Sequence, residues 1–235
     1  MTTTNKDVAE FYDKEWADFN DKGLSKPNSR HRTILKNLKA AGLTKSSNVL
    51  EVGCGLGSLS GLIIKFLSDG NFIGADISPK TIELLKKKYS EFKNADFLVT
   101  DMSNFKHNIK FDFVVFPDVL EHIPVEAHDN IFKTLSQITH NDSVILVNNP
   151  EPFALEWIIK NKPEQLQIID QPLHINHFSN LSYSNGFYIE SVMPYSLHTY
   201  QYDYQNIIIK PIKSLQEVAQ KKSLDAILAN LKSRL

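Results

Sequence analysis

The sequence predicts an α/β domain: a mainly parallel sheet of seven strands with helices on both faces and an antiparallel edge strand. Three observations carry this. Short apolar runs alternate with segments of helical spacing up to residue 150. Glycines cluster where the first such run meets the helix that follows it. Two late β-rich runs, 187–193 and 202–210, follow each other closely, which suits antiparallel pairing.

Taken in order, residues 5–22 have helical character and carry Phe11, Tyr12, Trp16 and Phe19. Residues 29–41 place Ile34, Leu35 and Leu38 at helical spacing, and Gly42 is a C-terminal stop. NVLEVG (48–53) is a short apolar run ending in glycine, the pattern of a strand buried on both faces. A helix over 58–68 follows, then a second strand, NFIGADI (71–77). Ser78 caps the next helix and Pro79 takes its first turn. ADFLVTD (95–101) and FDFVVFP (111–117) are the third and fourth strands. Pro124 opens a helix over 125–139, and DSVILVNNP (142–150) is the fifth strand. Beyond residue 150 the pattern loosens until the late strand pair. The tail, 213–235, aligns Leu215, Val218, Leu224, Ile227, Leu228 and Leu231 on one helical face, suited to packing on the domain or on a second copy in a homodimer.

Bulk properties narrow the function classes. A chain of 235 residues with 42% hydrophobic and 23% charged residues is ordinary for one globular domain. A net charge of -1 gives no electrostatic footprint for long nucleic acid. The start of the chain is polar, no stretch approaches the ~20 apolar residues of a membrane span, and the lone Cys54 can form no internal disulfide. Together these point to a cytoplasmic protein with no membrane partner.

VLEVGCGLGSLS (49–60) is the most informative stretch. Gly53, Gly55 and Gly57 alternate between a strand and a helix, where missing side chains admit a sharp turn and a close ligand. Glu51 precedes them within the strand. Asp76 ends the second strand, where it can accept from two ribose hydroxyls. Asp101 ends the third, where it can accept from an adenine amino group. Dinucleotide enzymes would show G-x-G-x-x-G instead. Cys54 sits inside the loop with no base beside it in sequence, so small-residue packing is preferred to a nucleophile.

This set resembles the class I S-adenosylmethionine-dependent methyltransferases over roughly residues 30–210. The resemblance implies a Rossmann-like fold. It implies that Glu51 and the loop Gly53, Cys54, Gly55 and Gly57 hold the methionine end, Asp76 and Ile77 the ribose and adenine face, and Asp101 and Met102 the adenine. FPDVLEHIP (116–124) matches the family's fourth-strand motif beside the reactive methyl group, with Pro117 in contact with the cofactor. The expected layout is one domain over 1–235: a helical lid (1–28), a cofactor core (29–150), an acceptor-side insertion with the last strands (151–210) and a C-terminal helix (211–235).

Methyl transfer from a sulfonium is an in-line displacement, so the protein must align the acceptor and help remove its proton. Asp118, Glu121 and His122 stand at i, i+3, i+4, and PLHINHFS (172–179) adds His174 and His177. Two readings stay open. In the first, Asp118, Glu121, His122 and His177 bind Mg²⁺ or another divalent cation, as in family members with E-x-x-E-H, here with Asp in place of the first Glu. In the second, no metal is needed and His122 or His177 accepts the proton, with Glu121 beside it. Tyr12 and Trp16 share a helical face and suit a lid over the cofactor, or ordinary packing. Phe153, Trp157 and His174 of the insertion suit an acceptor pocket, or a core. The leading function is O-methylation of a small hydroxylated acceptor, sugar-linked or a surface-polysaccharide precursor. The alternatives are N-methylation of a small amine, 2′-O-methylation of RNA 3′ ends, and a non-catalytic cofactor-binding subunit.

Overall fold

The computed structural model describes residues 7–14 and 26–213. Trp16 and the tail from residue 214 lie outside the described residues. Of the expected N-terminal helix, 7–14 is described and is helical (α1). The other elements are α2 (Ser29–Ala40), β1 (Val49–Val52), α3 (Ser58–Phe66), β2 (Phe72–Asp76), α4 (Pro79–Lys88), β3 (Ala95–Val99), β4 (Phe111–Pro117), α5 (Val125–Ile138), β5 (Thr139–Pro150), α6 (Pro152–Asn161), α7 (Ile175–Ser184), β6 (Phe187–Tyr195) and β7 (Tyr204–Pro211).

The seven strands form one sheet in the order β3-β2-β1-β4-β5-β7-β6. The first five run parallel, and β7 runs antiparallel to both β5 and β6. All four residues of β1 are buried, as a strand covered on both faces must be. Alternate residues feed two cores. Leu50, Val52, Val114, Phe116, Ile145 and Val147 pack with Phe132 of α5 and Phe178 of α7. Val49, Phe113, Val115, Val144 and Leu146 pack on the other face with Leu38 of α2, Ile63 of α3 and Leu85 of α4.

Several sequence signals act as expected. The Ser78 hydroxyl accepts from the Thr81 N–H with Pro79 behind it, and α4 begins there. The insertion is more ordered than its sequence suggests, since α6 and α7 both form within 151–185. At the start of α6 the Glu151 carboxylate accepts from the Ala154 N–H, with Pro152 in the first turn. Phe153 and Trp157 of α6 point outward, 68% and 54% exposed, so they build neither core nor cavity wall. Leu155 and Ile158 of the same helix face inward instead. Among the described residues no helix is long and apolar enough to cross a membrane.

Strand order positions the site. The chain builds β1, β2 and β3 outward in one direction, then returns to lay β4 on the opposite side of β1. The connections leaving β1 and β4 therefore diverge, and a crevice opens at their carboxyl ends. Phe132, fully buried and edge-on to Phe187 at 6.3 Å, secures α5 beneath that crevice. Phe132→Ala is expected to cost about 3–5 kcal/mol of stability, read as a shifted urea midpoint.

Candidate functional site

The glycine loop fills one side of the crevice. Gly53 and Gly57 have φ values of 70° and 73°, a backbone region that side chains disfavour. At Gly53 a Cβ would also stand 2.3 Å from a methyl of Val119. Three bonds fasten the loop to the end of β2. The Gly53 and Cys54 N–H groups donate to the Ala75 carbonyl at 2.7 and 3.0 Å, and the Gly55 N–H donates to Asp76 Oδ2 at 2.9 Å. The other Asp76 oxygen accepts from the Ser78 N–H at 2.9 Å. A carboxylate has about four acceptor positions, so Asp76 keeps capacity toward the cavity. Burial raises its pKa, and the backbone bonds oppose that rise. Glu51, 1% exposed, accepts from the Ser60 hydroxyl at 2.7 Å, and burial pushes its carboxyl up to about 8.

A cavity of about 370 Å³ runs from this loop across the carboxyl ends of the strands. Glu51, Gly53, Cys54, Gly55, Asp76, Ile77, Asp101, Met102 and Pro117 all line it. Gly57 does not: it sits behind the wall as the N-terminal flank of α3. Asp101 accepts from the Ser103 N–H and hydroxyl at 3.0 and 2.7 Å, which orients its carboxylate at the end of the third strand. Met102 beside it has a φ of 65° and is buried. Cys54 is buried, and burial raises its thiol pKa well above the ordinary value, which suits packing and not nucleophilic attack.

The far end of the cavity is built by the turn after β4. Asp118 has a φ of 57° and donates its N–H to the Asn148 carbonyl at 2.8 Å. Its carboxylate pairs with Arg30 of α2 at 2.6 Å, and Arg30 also donates to the Tyr204 hydroxyl at 3.2 Å. A short 3₁₀ turn, Leu120–His122, then presents Glu121 and His122. His122 Nδ1 lies 2.7 Å from the Ile169 carbonyl and 3.3 Å from Asp170, so Nδ1 carries a proton. His122 Nε2 faces the Gln167 amide at 3.2 Å, and Gln167 in turn accepts from the Tyr12 hydroxyl of α1 at 2.9 Å. Burial lowers the His122 pKa, but Glu121 and then Asp170 more than offset it, and the imidazole stands at about 9.

Two expected contributors are elsewhere. His174 pairs with Glu156 at the surface, 2.8 Å away, and lines neither this cavity nor the smaller one beside Glu121. His177 is 2.8 Å from His128, whose other nitrogen meets the Ile123 carbonyl. That arrangement makes His177 a donor joining α7 to α5. Burial lowers its pKa, and it too lines neither cavity. The set Asp118, Glu121, His122 and His177 therefore does not fit a divalent cation. Asp118 is committed to Arg30 and His177 to His128. Among the described residues no group of three or more His, Cys, Asp or Glu side chains is arranged to hold a metal.

Arg30, Gln167, Asp170 and Tyr204 were not anticipated. They come from three separate segments, and a polar helix start such as SRHR carries no sign of a buried ion pair.

Residues 43–200 match a protein family described as "Methyltransferase domain". A malonyl-[acyl-carrier protein] O-methyltransferase of Ilyobacter polytropus is 37% identical over 73 residues, 31% of this chain and 27% of that protein. One from Acetivibrio thermocellus is 32% identical over 68 residues, 29% of this chain and 24% of that protein. The chain thus matches about a quarter of the length of these curated relatives. Among solved structures, a S-adenosylmethionine-dependent methyltransferase from Clostridium acetobutylicum covers 86% of this chain and 99% of its own, with a TM-score of 0.66 and 12% identity. The magnesium protoporphyrin IX methyltransferase of Synechocystis PCC 6803, solved with S-adenosylhomocysteine, covers 77% and 81% at a TM-score of 0.62 and 22% identity. These two structures share the fold of this chain.

The Arg30–Asp118 pair gives a test of the geometry. Arg30→Met strands a buried carboxylate and is expected to destabilise by roughly 3 kcal/mol. Adding Asp118→Asn, a residue tolerated at positive φ, is expected to restore most of that loss in chemical denaturation.

Proposed function

This chain belongs to the methyltransferase-domain family, and we propose that it transfers a methyl group from S-adenosylmethionine to a hydroxyl of a small acceptor. The observation that supports this best is the continuity of one cavity. It joins Glu51, the glycine loop, Asp76 and Asp101 at one end to Pro117, Asp118 and His122 at the other.

The cofactor, when bound, supplies an activated methyl carbon on a sulfonium. Glu51 and the glycine loop hold its methionine end. Asp76 takes the ribose hydroxyls on its remaining acceptor positions, and Asp101 takes the adenine amino group beside Met102. Val8 and Tyr12 of α1 line the same cavity, so α1 serves as a lid that excludes water. His122 accepts the acceptor's proton at Nε2, while Ile169 and Asp170 fix the ring through Nδ1. Gln167 links that ring to the lid through Tyr12. No step requires a metal.

O-methylation is favoured over N-methylation because a positioned base beside the cavity serves a hydroxyl, whereas an amine can react once neutral. Two curated relatives are also named as O-methyltransferases. A net charge of -1 speaks against an RNA end as acceptor.

Two measurements test this. Asp76→Ala is expected to weaken S-adenosylhomocysteine binding by about tenfold or more in calorimetry, since it removes charge-assisted acceptors. An unchanged affinity would refute the ribose assignment. The second measurement is the pH dependence of kcat. His122 works as an acceptor in its neutral form, and its pKa is raised to about 9. The rate is therefore expected to climb from pH 7, reach half its plateau near pH 9 and level off about one unit above that, and His122→Asn is expected to flatten the climb.

A further inference from the structure

Beyond the Arg30–Asp118 pair lies a second chamber of about 170 Å³. It shares Arg30, Asp118, His122 and Gln167 with the larger cavity, so these four residues form a common wall. Leu155 and Ile158 of α6 supply its apolar side.

Its polar atoms are underused. Glu121 lines the chamber, is 1% exposed, and has no hydrogen-bond partner on either carboxyl oxygen. Arg30 Nε is likewise buried and unpartnered. Glu121 faces the His122 imidazole at 3.8 Å but receives no hydrogen bond, and a buried carboxyl without one costs folding free energy, so natural chains shed such groups unless something uses them. Neither fold nor cofactor needs this one: Glu121 touches no helix cap, and it does not line the cofactor cavity.

The chamber's charge restricts what completes it. Glu121, Asp118 and Asp170 face in, against Arg30 and His122. Arg30 is already held by Asp118 at 2.6 Å, and His122 lies within 3.8 Å of Glu121 and 3.3 Å of Asp170. Among the described residues no uncommitted cation is left in its wall to receive an acidic group, and an entering carboxylate would face acidic side chains instead. Hydroxyl hydrogens, by contrast, meet vacant acceptors.

We propose that this chamber binds the body of the acceptor, that Glu121 is a specificity-determining residue receiving its hydroxyl hydrogens, and that the acceptor is a neutral polyhydroxylated compound. The assignment rests on the methyltransferase reading, because the shared wall is what brings the bound hydroxyls beside His122.

The test uses the full chain saturated with S-adenosylhomocysteine. Calorimetry compares methyl β-D-glucopyranoside with methyl β-D-glucuronide, which differ in a hydroxymethyl against a carboxylate. The glucoside is expected to bind at least about tenfold more tightly than the glucuronide. In Glu121→Leu the glucoside is expected to weaken by about tenfold or more, with S-adenosylhomocysteine affinity kept and the thermal midpoint unchanged or higher. A merely structural Glu121 would lower that midpoint. Should the leucine variant fail to fold, Glu121→Gln serves, with partial weakening expected as one acceptor oxygen is lost. The proposal falls if the glucuronide binds as well as the glucoside, if neither sugar binds, or if both Glu121 variants leave glucoside affinity unchanged. A wild type that does not bind S-adenosylhomocysteine overturns the cofactor reading, and this one with it. Failure of the sugars alone overturns only this one.

Discussion

Asp76 is the hinge on which the site depends. Its carboxylate receives the Gly55 N–H on one oxygen and the Ser78 N–H on the other. The first bond sets the shape of the glycine loop, and the second shapes the turn into α4. One side chain at the end of β2 thus ties together the segments that bound the near end of the cavity. This works because β1 and β2 are adjacent and in register, with Val52 beside Ala75. A slip between those strands would carry the loop away from Asp76, so the sheet and the glycine loop specify each other.

The two ends of the cavity are built on different physics. The near end is backbone: N–H groups, positive-φ glycines and carboxylates that accept from them. Its geometry is held by the sheet. The far end is side chain: Arg30 on Asp118, Asp170 on His122, and Tyr12 through Gln167 to the same imidazole. These links join α1, α2, the turn after β4 and the segment after α6. Such a division suits a protein that must hold one constant ligand while the second site is set by exchangeable residues.

Legibility in the sequence follows that division. The place of the glycine loop, Asp76 and Asp101 at the cavity could be read because it depends on local position: the end of a strand, the start of a helix. The five parallel strands and the late pair were readable from periodicity, and Ser78-Pro79 marked α4 directly. Arg30, Gln167, Asp170 and Tyr204 had no comparable signal, since their roles exist only through contacts between distant segments. His174 and His177 misled for the converse reason. Two histidines beside an acidic motif resemble a ligand set, yet α7 turns one toward Glu156 at the surface and the other toward His128. Phe153 and Trp157 had the same defect: aromatic character gave no indication of which face of α6 would turn inward.

The position of β7 carries a consequence for how the molecule assembles. β7 is the last strand among the described residues, yet it lies between β5 and β6. During synthesis β5 and β6 emerge first, and neither has its final neighbour until Tyr204–Pro211 arrives to join them. Until then the apolar edge of β5, Ile145–Val147, has no partner from its own chain on that side. The nascent protein therefore passes through a stage in which the glycine loop exists while the sheet stands open beside it. Ribosome-tethered chains ending before residue 204 should be the ones most dependent on chaperones.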